Sequence, residues 1–104
     1  MFQLDYDDSS KLLNCKFSGR MDGTNTKEAE LELNKKVLDF LQKEPELKIT
    51  FDLSEVEYIA SAFIRTCLAT AKQLKENAFS IVNTNPLIKK TFKMAGLEEI
   101  LNVN

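Results

Sequence analysis

The side chains able to do chemistry are few, and most fall in one stretch. Asp52, Glu55 and Glu57 bring three carboxylates into a short segment, the kind of density that a metal site or a general acid–base pair would require. Ser61 follows them where an apolar-periodic run begins, and a hydroxyl there serves either as a helix cap or as an acceptor of phosphate. Arg65, one helical turn further on, is a cation within reach of such a phosphate. Lys89, Lys90 and Lys93 form a second basic group.

Two omissions weigh against catalysis. The chain has no histidine, which removes the commonest general base and the commonest metal ligand together. Its two cysteines, Cys15 and Cys67, form no CxxC or zinc-type spacing. The three carboxylates therefore read as a solvated loop after a strand, and the lysines as a solvated helix face. No catalytic residue, no metal and no cofactor is expected, and the chain reads as a non-enzyme.

Composition narrows the class further. With 104 residues and 43% hydrophobic content, the chain is expected to form one domain over residues 1–104 with a core that needs no metal or disulfide. Fourteen basic against sixteen acidic residues leave a net charge of −2, which argues against direct nucleic-acid binding. The apolar runs fall far short of the roughly 20 residues that span a bilayer, and Asp5, Asp7 and Asp8 stand where a signal peptide would be basic and then apolar. No membrane insertion is expected, and the location implied is cytoplasmic. In that compartment both cysteines act as small buried hydrophobes.

The elements that must position these residues follow from periodicity. Phe2 to Asp7 alternates apolar and polar residues, Asp8-Ser9-Ser10-Lys11 is turn chemistry, and Leu12 to Phe17 resumes as a second strand, so a hairpin is expected. Gly19 closes it, and Arg20 to Asn25 reads as a polar loop. A helix is expected from about Thr26 to Gln42, with Leu33, Val37, Phe40 and Leu41 as its buried stripe and Pro45 beyond its end. Leu47 to Leu53 is the next strand. A second helix covers about Ser61 to Asn77 with Ile64, Cys67, Leu68, Ala71 and Leu74 buried, while Phe63, Thr66 and Thr70 lie on a strip beside that face. Phe79 to Val82 is a short strand. The third helix has Asn85 as N-cap, Pro86 at its first position and Gly96 at its stop. Leu97 to Leu101 closes the chain as a short turn. The fold class is α/β: a mixed sheet of about four strands covered by helices, in the order ββαβαβα.

One long motif stands out. Ile49 to Asp52 is a strand, Leu53-Ser54-Glu55-Val56 and Tyr58-Ile59 follow, and Ala60-Ser61-Ala62-Phe63-Ile64-Arg65 opens a helix. This resembles the STAS family, the domain of bacterial anti-sigma factor antagonists, whose pattern is a strand, D-L-S-x-V-x-x-I, then D-S-S/A-G-L. Gly19-Arg20-Met21-Asp22 is similar to the family's G-x-L-D loop, Ile81 to Pro86 to its fourth strand and third helix start, and Met94 to Leu101 to its closing G-L-x-x-L segment. The resemblance runs nearly the whole length of the chain in the right order. Two positions depart from it: the family aspartate before the serine is Ala60, and the glycine after it is Phe63.

The resemblance implies a function in partner switching and transcription regulation. Stand-alone members bind an anti-sigma factor that is also a serine kinase, which phosphorylates the serine aligned with Ser61. The partner-binding candidates carried over are Asp22, Tyr58, Ala60, Ser61, Ala62, Phe63, Arg65 and Thr66, with Ser61 as the phosphorylation candidate. A weak homodimer is compatible with the family. The alternative keeps the fold without the chemistry: a phosphorylation-independent adaptor or scaffold in a signalling or lipid-transport complex. A nucleotide sensor is a third reading, although no glycine-rich phosphate loop is present.

Overall fold

Residues 2–104 are described by a computed structural model. The alternation in the first two apolar segments produces the expected hairpin: β1 (Phe2–Asp7) pairs antiparallel with β2 (Leu12–Met21), Phe2 opposite Phe17 and Asp7 opposite Leu12. Beyond it the chain forms α1 (Gly23–Lys43), β3 (Lys48–Ile59), α2 (Ser61–Lys72), β4 (Phe79–Val82) and α3 (Pro86–Met94). The sheet order is β1-β2-β3-β4, with β2–β3 and β3–β4 parallel. This is the mixed four-stranded sheet in ββαβαβα order that the sequence implies.

Both crossovers, β2-α1-β3 and β3-α2-β4, step the same way across the sheet. Right-handed connections then place α1 and α2 on one face. Leu13, Cys15, Phe17, Ile49, Phe51, Leu53, Phe79 and Ile81 point to that face and are buried, together with Leu33 and Val37 of α1, Phe63 and Cys67 of α2, and Ile88 and Phe92 of α3. A run of phenylalanines crosses this layer from strand to strand. Phe2, Phe17, Phe51 and Phe79 stand with successive ring centroids 4.9 Å apart. The opposite face is polar and carries its own cross-strand pairs, such as Thr50 Oγ1 with Ser80 Oγ at 3.0 Å.

Four boundaries differ from the sequence reading, the first being α1, which starts at Gly23 rather than about Thr26. The expected loops at Arg20 and at Asp52–Glu57 are strand, because β2 runs to Met21 and β3 to Ile59. Alternation fails there for a local reason: the β2–β3 register shifts between Lys16 and Ser18 and again between Gly19 and Arg20. Each irregularity breaks the period of two without ending the pairing. Gly19, at φ +83°, accommodates the second of them in a backbone conformation few other residues adopt. The second helix is also shorter than expected. It stops at Lys72, and Asn77 enters the left-handed region at φ 64° before β4.

The helix ends that were legible hold. The Asn85 side chain accepts from the Ile88 N–H at 2.8 Å, with Pro86 next to it. At the far end of α3, Gly96 has φ +75°, its N–H donates to the Lys93 carbonyl at 3.0 Å, and the Leu97 N–H donates to the Phe92 carbonyl at 3.0 Å. That pair of bonds defines a Schellman stop. The final residues return to the sheet, where Val103 bridges Ile81 in parallel beside β4.

Candidate functional site

Parallel strands followed by helices bring the starts of those helices to one end of the sheet, and in open α/β sheets that end is where partners and ligands are met. Here β2, β3 and β4 lead into α1, α2 and α3 at Asp22, Ala60 and Asn85. The junctions are tied together. The Ala60 N–H donates to the Met21 carbonyl at 2.9 Å, and the Asn85 side-chain amide reaches the Val56 carbonyl at 3.4 Å.

Each junction is built differently. Asp22 is a true N-cap, its Oδ1 accepting from the Asn25 N–H at 2.9 Å. The N-cap of α2 is Ala60, not Ser61 as the sequence suggested, and Ala60 supplies no side-chain hydrogen bond. Ser61 is the first helical residue and is exposed. Its hydroxyl thus sits at the positive, under-capped end of a helix dipole, a setting that accommodates an added anion. Arg65 is exposed one turn along the same side, the spacing at which helix side chains are neighbours.

The eight candidate residues separate into a surface and its support. Tyr58, Ser61 and Arg65 are exposed, and Asp22, Ala60 and Ala62 are half-buried. Phe63 and Thr66 are not available to a partner. Phe63 is 0% exposed and meets Phe17 edge-on, with centroids 5.1 Å apart at 84°, and Phe51 at 6.1 Å. The large ring in place of the family's glycine therefore fills the core beneath the junction. Thr66 is buried against α1, where its hydroxyl donates to Glu30 Oε2 at 2.6 Å and lies 3.1 Å from the Ala62 carbonyl.

The same observation corrects the expected buried stripe of α2. Phe63, Thr66, Cys67 and Thr70 form its buried centre, while Ile64, Leu68, Ala71 and Leu74 pack at its margin. A threonine reads as a surface residue from sequence. Inside, Thr70 bonds back to the Thr66 carbonyl at 2.9 Å, and Thr66 finds Glu30, so neither buried hydroxyl lacks a partner.

Sequence reasoning did not single out Arg20, which stands beside the exposed Tyr58. Its guanidinium stands 4.4 Å from the Tyr58 ring centroid, a cation–π pair across paired positions of β2 and β3. Only the register reveals it. The acidic stretch does not converge on one point. Asp52 accepts from the Ser54 N–H at 2.9 Å and the Asn83 amide at 3.2 Å, and Glu55 pairs with Lys16 at 3.5 Å. Among the described residues no group of three or more acidic, histidine or cysteine side chains could hold a metal ion. No helix there is long and apolar enough to cross a membrane.

A four-stranded mixed sheet in ββαβαβα order, with its helix starts gathered at one end, defines a small α/β domain. Residues 17–102 match the family model described as Mlab, STAS domain, and the chain belongs to the STAS domain family. No curated protein sequence matches it. Among solved structures, an anti-sigma factor antagonist from Mycobacterium paratuberculosis is similar with a TM-score of 0.82 at 21% identity, covering 99% of this chain and 83% of that one. A STAS domain protein from Planctomyces limnophilus gives 0.79 at 17% identity, with 99% and 87% covered. The Bacillus cell fate determinant SpoIIAA in its phosphorylated form gives 0.66 at 17%, with 95% and 86% covered. At these identities the likeness is one of fold.

Proposed function

We propose that this domain is a non-enzymatic interaction module of the anti-sigma factor antagonist kind, cytoplasmic, which binds a serine-kinase-type anti-sigma factor through the Ser61 end of its sheet. The binding surface is formed by Tyr58, Ser61 and Arg65 with Asp22, Ala60 and Ala62, and Arg20 joins it through Tyr58. The switch is phosphorylation of Ser61. The observation that carries this reading is the exposed Ser61 hydroxyl at the first position of a helix whose N-cap contributes no side chain.

The chemistry needs nothing catalytic from this chain. Ser61 Oγ attacks the γ-phosphorus of ATP in the kinase, an O–P bond forms, ADP leaves, and the hydroxyl proton passes to a base of the kinase. The product carries about −1.5 to −2 charge at neutral pH. That charge favours the start of α2 and opposes an acidic or apolar partner surface, so binding is lost by local repulsion without refolding. Incubation with a cognate kinase and ATP, followed by intact mass and peptide mapping, tests it. One added phosphate on Ser61 is the expected result, and none, or one elsewhere, rejects the switch.

A second reading is favoured by the family model itself, which carries the Mlab description, and by Ala60 and Phe63 in place of the usual aspartate and glycine. In it the domain is a phosphorylation-independent adaptor in a signalling or lipid-transport complex. The variant Ser61→Asp separates the two: a switch releases its partner, and an adaptor keeps it.

A further inference from the structure

The outer face of α3 is unlike the rest of the surface. The helix Pro86–Met94 contains three lysines and no acid, a charge of +3, on a chain whose net charge is −2. Lys89, Lys90 and Lys93 are exposed, and none of them enters an ion pair among the described residues. The same nine residues carry Leu87 and Met94, 69% and 78% exposed, two of the six large hydrophobics left in solvent among the described residues. Ile88 and Phe92 anchor the opposite side in the core.

The arrangement is ordered by helical geometry. At 100° per residue, Lys89, Lys93 and Lys90 fan from one edge of the exposed face to its centre. Leu87 and Met94, seven residues apart, stack on the other side of that centre, next to Lys90, with about 10 Å between them along the axis. A shallow depression of about 460 Å³ lies elsewhere, between α2 and the chain's end; the one here, about 710 Å³, is lined by Pro86, Lys89, Lys90, Lys93, Met94 and Glu98. Glu98 is its single acid.

We infer that this face of α3 is a docking surface for an acidic, amphipathic segment of a partner protein, distinct from the Ser61 junction. Charge complementarity sets the occupant: carboxylates over Lys89, Lys90 and Lys93, with an apolar side chain between Leu87 and Met94. Uncompensated lysines steer such a segment and give the encounter its salt dependence, and the flexible Met94 side chain adapts to the apolar insert. A bilayer fits less well. Interfacial helices bury their apolar face in lipid, whereas that of α3, Ile88 and Phe92, is already in the core and leaves only Leu87 and Met94 outside.

The test uses the whole chain labelled with ¹⁵N, titrated with a helix-forming peptide of glutamate and leucine at helical spacing, and in parallel with phosphatidylserine vesicles. Amide shifts confined to α3 and the Leu97–Leu101 turn are expected. The dissociation constant should rise at least tenfold in the K89E/K90E/K93E variant, and at least threefold in L87S/M94S or at high salt. The charge-neutral K89Q/K90Q/K93Q variant serves if the reversal perturbs the fold. No shift at α3 at about 1 mM peptide, the weak end of specific affinity, overturns the inference. So do shifts that map to the Ser61 end, shifts the variants leave unchanged, self-association in place of peptide binding, or binding to vesicles alone. Loss of kinase modification at Ser61 would leave this result unaffected.

Discussion

The Ala60 N–H donates to the Met21 carbonyl at 2.9 Å, and this bond joins the two loops that carry Asp22 and Ser61. The strand pair Met21–Ile59 ends at that point, so the last rung of the β2–β3 ladder is also the floor of the candidate surface. Asp22 then spends its side chain on capping α1, while Ser61 keeps its own free on the outside. A capping carboxylate and an exposed hydroxyl are thus divided between neighbouring helix starts.

The α2 junction has room for a better cap. Ala60 holds φ −98° and ψ 169°, the extended geometry an N-cap needs, but offers no acceptor. Replacing Ala60 with Asp should raise stability by about 1 kcal/mol, read as a higher urea midpoint with an unchanged slope. An unchanged midpoint would mean that the N–H groups of the first turn are already satisfied.

Phe63 tests whether the departure from the family's glycine is structural. It is wholly buried between Phe17 and Phe51. Phe63→Ala should cost about 3–5 kcal/mol, a large part of the roughly 5–15 kcal/mol that holds a domain of this size. Phe63→Leu should cost much less. Chemical denaturation of the three proteins checks the order, and an Ala variant within 1 kcal/mol of the parent, on the same scale of core truncations, would contradict the packing.

Asp52 gives the stability a pH dependence of known sign. Burial, the largest single influence, pushes its carboxyl up, but hydrogen bonds from Ser54 and Asn83 and the charge of Lys16 together outweigh it and hold the carboxyl below its ordinary value. A group depressed in the fold adds stability above its ordinary range and loses it as pH falls through the folded value. Asp52→Asn should therefore be less stable than the parent at neutral pH, the two converging in acid. Thermal melts across pH measure this, and a gap that widens in acid would reverse the assignment.

Cys15 and Cys67 should be inert in the native state. Both are 0% exposed. Burial pushes the Cys15 thiol up to about 12 and raises that of Cys67 as well, so thiolate is scarce and access is closed. A thiol reagent should label neither in buffer and both in denaturant. Rapid native labelling of either would place it at the surface.

Much of this protein was readable from residue order. Turn residues at Asp8–Lys11, the Asn85–Pro86 start and the Gly96 stop are local signals, satisfied within a few residues of themselves, and each stands where it was expected. The stripe of Leu33 and Val37 on α1 was equally plain, because its period is that of the helix. Alternation misjudged β2 and β3, since bulges keep a strand paired while breaking its period of two.

The Ser61 neighbourhood shows where residue order stops. The chain alone determined that a strand leads through a short acidic stretch to a helix beginning at Ser61, and that Ala60 and Phe63 replace the residues usual beside such a serine. Only the tertiary structure decided that Phe63 faces the core, that Thr66 and Thr70 lie with it, and that Arg20 stands over Tyr58. Those outcomes depend on partners far away in sequence: Phe17 and Phe51 around the ring, Glu30 for the threonine hydroxyl, and strand register for the arginine. A side chain's polarity states what its burial would cost, and the surrounding fold supplies the contacts that offset it.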